Sequence, residues 1–200
     1  MPWVFGYGSL VDRSSVEASV GHQVSAEHGP FAARLPGYRR QWNLGAHSRR
    51  RPEYILTDEN GSVWSGDVVF LGIEECDGCS TLGAVYWLDD VDLAILDHRE
   101  LAYDRLLRTV VPVTPIDTID RGRVDELSVH VYVPKPQARE HAAQVGASGV
   151  IMARYLRLVD SAFRSLGADL YAEHLGSLPP TAPFSVREIS RRPAVAGPQA

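Results

Sequence analysis

The interpretation of this chain starts from one stretch near its beginning, Trp3-Val4-Phe5-Gly6-Tyr7-Gly8-Ser9-Leu10. Its first three residues are β-prone and run into a pair of glycines, a pattern typical of a buried first strand that enters a tight turn. The glycines either serve a turn that requires positive φ or let a ligand approach the backbone N–H groups, which would then hold an anion such as a carboxylate.

A dinucleotide-binding fingerprint begins in a similar way, with a strand followed by Gly-x-Gly. Here the third glycine of that pattern is missing, because Val11 occupies its place. The next ~20 residues also lack the helix and the strand ending in an acidic residue that complete such a unit. We therefore disfavour a Rossmann-type nucleotide site.

Length and composition restrict the class of protein. The 200 residues are 44% hydrophobic and 22% charged, with 20 Lys and Arg against 25 Asp and Glu, so we expect one globular domain over 1–190 and a flexible tail over 191–200. A chain without a basic excess is not typical of a dedicated nucleic-acid binder. Two cysteines, no signal-peptide pattern and no apolar run of ~20 residues indicate a cytoplasmic protein that does not enter a membrane.

Hydrophobic periodicity predicts an α+β domain, with strands first and the main helices last. A helix is predicted over 89–98, with Asp89 and Asp90 at its positive end. From 148 to 166 apolar residues recur three and four apart, which predicts a second helix, and a shorter one follows over 169–175. Asn60-Gly61 indicates a hairpin turn. Short β-prone runs lie at 39–44, 54–56, 63–64, 68–71, 84–88, 107–113 and 128–133.

Glu100 is the candidate for acid–base chemistry, since it follows the first predicted helix. The negative end of a helix dipole disfavours a carboxylate, and burial beside Leu101 and Tyr103 acts in the same direction, so both would raise the pKa of Glu100. A carboxyl tuned toward neutrality can serve as general acid and base. An exposed glutamate paired with Arg99 or Arg105 is the alternative.

Two other clusters have both a functional interpretation and an ordinary structural one. Cys76-Asp77-Gly78-Cys79 has the spacing of a redox pair or of half a zinc site, but the sequence has no second cysteine pair and its histidines are scattered without ligand spacing. We therefore expect a turn with two ordinary thiols, and no metal. Arg39 and Arg40, followed by Arg49-Arg50-Arg51, form either an anion-recognising stretch or a solvated basic edge.

Taken together, residues 4–10 and Leu96-Asp97-His98-Arg99-Glu100 resemble motifs of the γ-glutamylcyclotransferase superfamily, and most of all its ChaC-like branch, which acts on glutathione. Three further features occur in the family's order. Residues 35–42 are similar to its Gly-Tyr-x-Arg-aromatic segment, 83–88 to the strand before its catalytic helix, and Tyr103 to the tyrosine after Arg-Glu. The resemblance runs from residue 4 to about residue 133, and the helix predicted over 148–166 is compatible with it.

The resemblance implies a fold and a site. It implies a small mixed β-barrel flanked by helices, with the active site in a cavity at the barrel mouth and with no cofactor or metal. Glu100 would be the general acid and base, Tyr103 and Arg105 would orient it or bind a carboxylate, and Arg40 would bind a carboxylate. The γ-glutamyl group would be held by the backbone of Gly6, Tyr7, Gly8, Ser9 and Leu10.

The resemblance also implies a reaction. The α-amine of a small γ-glutamyl peptide or amine, glutathione among them, would attack its own γ-carbonyl carbon and release 5-oxoproline and a free amine. This chemistry needs positioning and proton transfer but no covalent enzyme intermediate.

The sequence departs from the family's pattern in three places, of which the first two concern the substrate more than the reaction. Val11-Asp12-Arg13-Ser14 replaces the Trp and Pro that usually follow the first motif, residues 46–53 replace an Asp-His-Arg-Gly-Thr-Pro-Glu-like stretch, and Ala102 replaces a frequent glycine. Two alternatives therefore stay open: a non-catalytic module that binds a small acidic metabolite, and a cyclotransferase for another γ-glutamyl amide in a biosynthetic pathway. The sequence indicates no nucleic-acid or membrane partner, and a homodimer is compatible with it.

Overall fold

The computed structural model describes residues 2–50, 54–114, 116–118 and 122–193. These residues contain eleven strands: β1 (Trp3–Gly6), β2 (Phe31–His47), β3 (Tyr54–Thr57), β4 (Asp67–Trp87), β5 (Tyr103–Pro112), β6 (Ile116–Thr118), β7 (Gly122–Val124), β8 (Leu127–Pro134), β9 (Val150–Met152), β10 (Ser185–Arg187) and β11 (Ser190–Pro193). They also contain five α-helices: α1 (Arg13–Val20), α2 (Asp90–Arg99), α3 (Pro136–Val145), α4 (Ala153–Ser165) and α5 (Ala168–Ser177). No helix in these ranges has the length and apolar character needed to cross a bilayer.

Five of the strands close into a mixed β-barrel. The hydrogen-bonded order β1-β8-β5-β2-β4 returns to β1, because β1 pairs in parallel with β8 and antiparallel with β4. Phe5 lies at this junction, opposite Val131 of β8 and Val85 of β4. Closure removes the free edges that an open sheet would expose. The fold class predicted from the sequence, a small mixed β-barrel flanked by helices, is confirmed.

Two apolar clusters hold the domain together, one inside the barrel and one beneath the helices. All five barrel strands contribute to the inner cluster, in which Phe5, Val85 and Val131 are fully buried. The second cluster packs α1, α2 and α4 against the barrel, with Leu96 and Phe163 among its buried side chains. Because side chains alternate along a strand, neighbouring residues of one strand supply the two clusters.

The structure contains two helices that the sequence pattern did not reveal, α1 and α3. Asp12 caps α1 by accepting the N–H of Ser15 at 2.8 Å. In each helix only two side chains are buried, and in α3 these are the alanines Ala138 and Ala142. An apolar face this small gives no clear 3.6-residue period, which explains why both helices were missed.

Several predicted boundaries also change. The segment predicted to be helical from 148 becomes α4 only at Ala153, because Val150–Met152 form β9, which pairs in parallel with β10. The runs at 68–71 and 84–88 belong to the single long strand β4. The Asn60-Gly61 turn is confirmed, since Thr57 and Val63 form a bridge across it.

The first three residues of the tail predicted over 191–200 belong to a strand. Residues 190–193 form β11, which pairs antiparallel with β3, so that Arg191 lies opposite Leu56. The remainder of the predicted tail, 194–200, lies outside the described residues.

Cys76 and Cys79 are joined by a disulfide, so the expectation of two ordinary thiols is wrong. They lie where β4 leaves its ladder with β2, since the register passes from Pro36 opposite Ser80 to Tyr38 opposite Glu75. The four-residue bend between those pairs brings the two cysteines within bonding distance.

Candidate active site

A narrow cavity opens at one end of the barrel, where β1 and β8 end and β5 begins. These three positions coincide because β1 and β8 run in parallel and β5 runs antiparallel to β8. The free space in the cavity is about 20 Å³, which is room for little more than one water molecule. The cavity is lined by Phe5, Gly6, Tyr7, Gly8, Ser9, Leu10, Leu71, Glu100, Tyr103, Tyr132 and Tyr155.

The backbone turn after β1 forms one wall of this cavity. Ser9–Val11 make a short 3₁₀ turn, in which the Val11 N–H donates to the Gly8 carbonyl at 3.0 Å. The leading N–H groups of a helical turn have no partner within the turn, so they suit an acceptor such as a carboxylate or a carbonyl.

Neither glycine of this turn has a positive φ. Glycine is needed at both positions because neighbouring atoms of the protein lie close to the backbone there. A Cβ on Gly6 would lie 2.5 Å from the carbonyl carbon of Leu10, and one on Gly8 would lie 2.8 Å from the hydroxyl oxygen of Tyr155. The interpretation of this segment as a turn that needs positive φ is therefore wrong. The chain requires glycine here because Leu10 and Tyr155 leave no room for a side chain.

Glu100 lies across the cavity from this turn. It ends α2, with its N–H donating to the Leu96 carbonyl at 2.8 Å, and its side chain is only 11% exposed. Among the residues that line the cavity it is the single carboxyl group. The structure thus brings the predicted acid–base residue and the glycine turn into one cavity.

Arg99 connects the two parts of the site. Its Nε lies 2.9 Å from Oε1 of Glu100, and its Nη2 donates to Oγ of Ser9 at 2.7 Å. Its Nη1 reaches α1, where it donates to the Ser15 carbonyl and to Oγ of Ser19. A neighbouring guanidinium favours the charged form of a carboxyl, whereas burial and the helix end disfavour it. The raised pKa expected for Glu100 therefore stays a prediction.

Four tyrosines complete the walls, and each is held in its neutral form. Burial is the largest cause and raises the pKa of Tyr7 and Tyr103 well above the ordinary value, with the charge of Glu100 acting in the same direction. Burial likewise raises the pKa of Tyr132 and Tyr155. At neutral pH these hydroxyls are hydrogen-bond donors and not bases.

All four hydroxyls bind groups of the protein itself, Tyr155 through a hydrogen bond with the backbone of Leu71. Tyr7 donates to the carbonyl of Tyr132 at 2.5 Å, and Tyr103 donates to the carbonyl of Leu71 at 3.3 Å. Tyr132 donates to Oδ1 of Asp97 at 3.0 Å. These bonds fix the rings around the cavity and make the tyrosines part of its scaffold.

The predicted binding residues divide into two groups. Tyr103 and the five residues of the turn line the cavity, whereas Arg40 and Arg105 do not. Arg105 pairs with Asp97, its Nη1 lying 3.3 Å from Oδ2. Arg40 is 4% exposed and binds His174 of α5, which makes it a support of that helix and not a ligand-binding residue.

The predicted basic stretch does not act as one unit in the described residues. Arg39 is solvated and pairs with Glu74 at 2.6 Å, whereas Arg40 points into the core. Arg51 lies outside the described residues, as does the side chain of Arg50. Within the described part of the chain, no three His, Cys, Asp or Glu side chains come together as metal ligands would.

Sequence reasoning missed Leu71, Tyr132 and Tyr155 as cavity residues. Tyr132 lies in a predicted strand and Tyr155 in a predicted helix, and no motif distinguishes either of them from its neighbours. The signal that could have found Tyr155 is its place directly beside the apolar stripe of that helix, where a hydroxyl needs a polar destination.

The barrel has the fold of solved γ-glutamyl cyclotransferase structures, which confirms at the level of fold the resemblance seen in the motifs. A solved structure described as a gamma-glutamyl cyclotransferase is 17% identical, with a TM-score of 0.53, and the match covers 90% of this chain and 89% of that one. A glutathione-specific γ-glutamyl cyclotransferase from yeast is 15% identical, with a TM-score of 0.50 and coverage of 84% and 88%. YkqA from Bacillus subtilis is 18% identical, with a TM-score of 0.51, and the match covers 89% of this chain and 55% of that one.

No protein-family model matches the chain, and no curated protein does so either. The comparisons thus establish the fold.

Proposed function

We propose that this protein is a γ-glutamyl cyclotransferase, which converts a γ-glutamyl peptide or amine to 5-oxoproline and a free amine. The observation that supports this most is the meeting of Glu100 with the Gly6–Leu10 turn in a buried cavity. A single carboxyl facing a row of backbone N–H groups suits a substrate that carries its own nucleophile, because the enzyme then has only to hold the substrate and move protons.

In this proposal the turn holds the glutamyl group both at its α-carboxylate and at its γ-carbonyl group. Close approach is possible because Gly6 and Gly8 carry no side chains. Fixing the chain of the glutamyl group in a bent form brings the α-nitrogen to the γ-carbonyl carbon. The flexible glutamyl chain is thereby held in a geometry in which the α-nitrogen is ready to attack the γ-carbonyl carbon. This positioning is the main catalytic contribution expected of such a site.

Glu100 then transfers the protons. The α-ammonium of the substrate loses a proton to the Glu100 carboxylate, and the free amine attacks the γ-carbonyl carbon. A C–N bond forms in the five-membered ring, and the C–N bond to the departing amine breaks. Two of the three ammonium protons reach the departing nitrogen, which leaves as an ammonium group, so Glu100 returns to its starting state.

Arg99 has a positioning role in this proposal. It contacts both Glu100 and Ser9, so it keeps the carboxyl at a fixed place relative to the turn. The bonds of Arg99 to Ser15 and Ser19 of α1 in turn fix the guanidinium.

The direct test replaces Glu100 with a side chain of the same shape that cannot take a proton. Glu100→Gln should lower the release of 5-oxoproline from γ-glutamyl substrates by at least ~100-fold, the usual scale of acid–base contributions. The matched control is Glu140→Gln, because Glu140 is an exposed glutamate on α3. Thermal unfolding checks that both variants are folded.

Near-normal turnover in a folded Glu100→Gln protein would overturn the assignment. Binding of a γ-glutamyl analogue without any turnover by the wild-type protein would instead indicate a non-catalytic binding module.

A further inference from the structure

A second, larger cavity of about 430 Å³ lies beside the candidate active site. It forms between the end of β2, the start of α3 and the turn that precedes β5. Small residues make its floor, namely Gly45, Ala46, Ala102 and Ala138. Polar side chains surround them: His47, Lys135, Gln137 and His141.

Hydrogen-bond donors dominate the polar side of this second cavity. Lys135 is a cationic side chain that uses one of its three N–H bonds on the Leu101 carbonyl, at 3.0 Å. The Nδ1 of His47 accepts the N–H of Arg49 at 3.2 Å, so in the neutral ring the hydrogen lies on Nε2. His141 is paired with Asp67 at 2.8 Å. Among the described residues that line the second cavity there is no carboxyl group, so the cavity suits an anionic ligand.

The second cavity shares a wall with the first. Glu100 and Tyr103 line the narrow cavity, and Ala102, which lies between them in the same turn, lines the larger one. Lys135 is bound to this turn twice, because its N–H donates to the Ala102 carbonyl at 2.9 Å and its Nζ donates to that of Leu101.

The register of β2 and β4 gives the separation of the two cavities. Gly45 of the second cavity lies opposite Val69, and Leu71 of the first cavity is two residues further along β4. Two residues span ~7 Å along a strand and neighbouring strands are ~5 Å apart, so the two positions are about 9 Å from each other. An extended dipeptide covers ~7 Å.

From this arrangement we infer that the second cavity binds a carboxylate on the departing part of the substrate, at a distance of one or two residues from the scissile amide. This inference rests on the proposed function, because the narrow cavity must hold the glutamyl group. Lys135 supplies the charge, and His47 and Gln137 supply further donors. The favoured leaving group is then an amino acid or a short peptide with a free carboxylate, in preference to a neutral or cationic amine.

The test compares two substrates that differ only at this group, γ-Glu-Ala-Gly with a free carboxylate and the same compound as its C-terminal amide. We expect wild-type protein to prefer the carboxylate by about tenfold or more in kcat/KM, as for a charge-assisted hydrogen bond of ~1.5 kcal/mol. Lys135→Gln, which keeps a neutral donor for the Leu101 carbonyl, should reduce this ratio to nearly 1. Lys135→Glu should reverse it in favour of the amide.

Arg139→Gln is the matched control, since Arg139 is an exposed cation on α3 that does not line the cavity. It should leave the ratio as in the wild type. A ratio near 1 in the wild type, or an unchanged ratio in both Lys135 variants, would overturn the inference. If Lys135 had a purely structural role, its replacement would lower kcat/KM for both substrates together and could not reverse the preference.

Failure of the proposed function is recognised separately. If wild-type protein releases no 5-oxoproline from either substrate, titration calorimetry with Ala-Gly and Ala-Gly-amide tests the second cavity on its own. Tighter binding of Ala-Gly that Lys135→Gln removes would support a carboxylate site that serves a free ligand. Equal binding of the two probes would overturn the inference in that case also.

Discussion

Gly8 and Tyr155 show how single residues shape the candidate active site. The place where Gly8 would carry a side chain is occupied by the hydroxyl of Tyr155, with the next neighbour, Cβ of Leu71, at 3.8 Å. Gly6 differs, because its missing side chain would collide with the backbone of Leu10. The two glycines should therefore differ in how well they tolerate an added side chain, although both belong to the same motif.

Gly8→Ala should destabilise the fold by about 1–3 kcal/mol, the usual cost of overpacking. Most of the steric part of this destabilisation should be absent when Gly8→Ala is combined with Tyr155→Phe. Phenylalanine removes the colliding oxygen and keeps the ring that packs on Phe70. Urea unfolding of the two single variants and the double variant gives the coupling energy, which we expect to exceed ~0.5 kcal/mol.

Gly6→Ala serves as the contrast in that experiment, because Tyr155→Phe should not rescue it. A coupling energy of zero between Gly8 and Tyr155, or equal rescue of Gly6→Ala, would contradict the steric account.

At this scale the sequence identified several residues of the cavity but not the directions of the side chains around them. The glycine turn and Glu100 could be found because motifs along the chain identify them. Arg40 was predicted to bind a carboxylate because it belongs to the basic stretch within the family-like segment 35–42, but a sequence does not show which face of β2 a side chain occupies. Tyr132 and Tyr155 were missed for the same reason.

Among the elements, α5 is attached to the barrel by a buried pair of basic side chains. Nη1 of Arg40 donates to Nδ1 of His174 at 2.8 Å, and the imidazole stacks on the ring of Phe163 with centroids 4.1 Å apart. The bond requires Nδ1 as acceptor, so His174 must be neutral. Burial, together with the charge of Arg40, lowers the pKa of His174 to about 4.

This pair predicts acid sensitivity. In the unfolded chain His174 takes up a proton near its ordinary pKa of 6.5, whereas in the folded protein it resists protonation down to about 4. The folded state is therefore stabilised above pH 6.5, and that stabilisation is lost as the pH falls toward 4. Between pH 8 and pH 5 the loss from this one residue should be about 2 kcal/mol.

His174→Gln provides the measurement, because glutamine can still accept the bond from Arg40 but does not titrate. Urea unfolding at pH 8 and pH 5 should show a smaller decrease for this variant than for the wild type. His98→Gln, which removes an exposed histidine on α2, should behave as the wild type does. Parallel decreases in the wild type and in His174→Gln would refute the account of α5.

Elements with a strong apolar period were predictable and elements with a weak one were not. The helix over 89–98 is confirmed as α2, since Leu93 and Leu96 form a buried face. In α3 the buried residues are alanines, which can pack closely against Gly45 but give little hydrophobic signal. The two cysteines could be seen in the sequence, but their bond depends on the bend in β4.

In the whole molecule, barrel closure brings distant parts of the chain together. Residues 6–10 follow the first strand and Glu100 follows α2, yet both face one cavity because β1 pairs with both β4 and β8. The sequence predicted the fold class through composition, strand order and resemblance. It could not predict the two long-range pairings of β1 or the second cavity, since these depend on contacts between segments far apart in the chain.

The central claim is that the substrate's own α-nitrogen attacks its γ-carbonyl carbon. The most direct measurement uses a γ-glutamyl peptide labelled with ¹⁵N at the α-amine and follows the label by mass spectrometry. We predict that all of the label appears in the ring of 5-oxoproline, that the released amine is unlabelled, and that Glu100→Gln suppresses the reaction. Labelled free glutamate, formed by attack of water, would contradict the account.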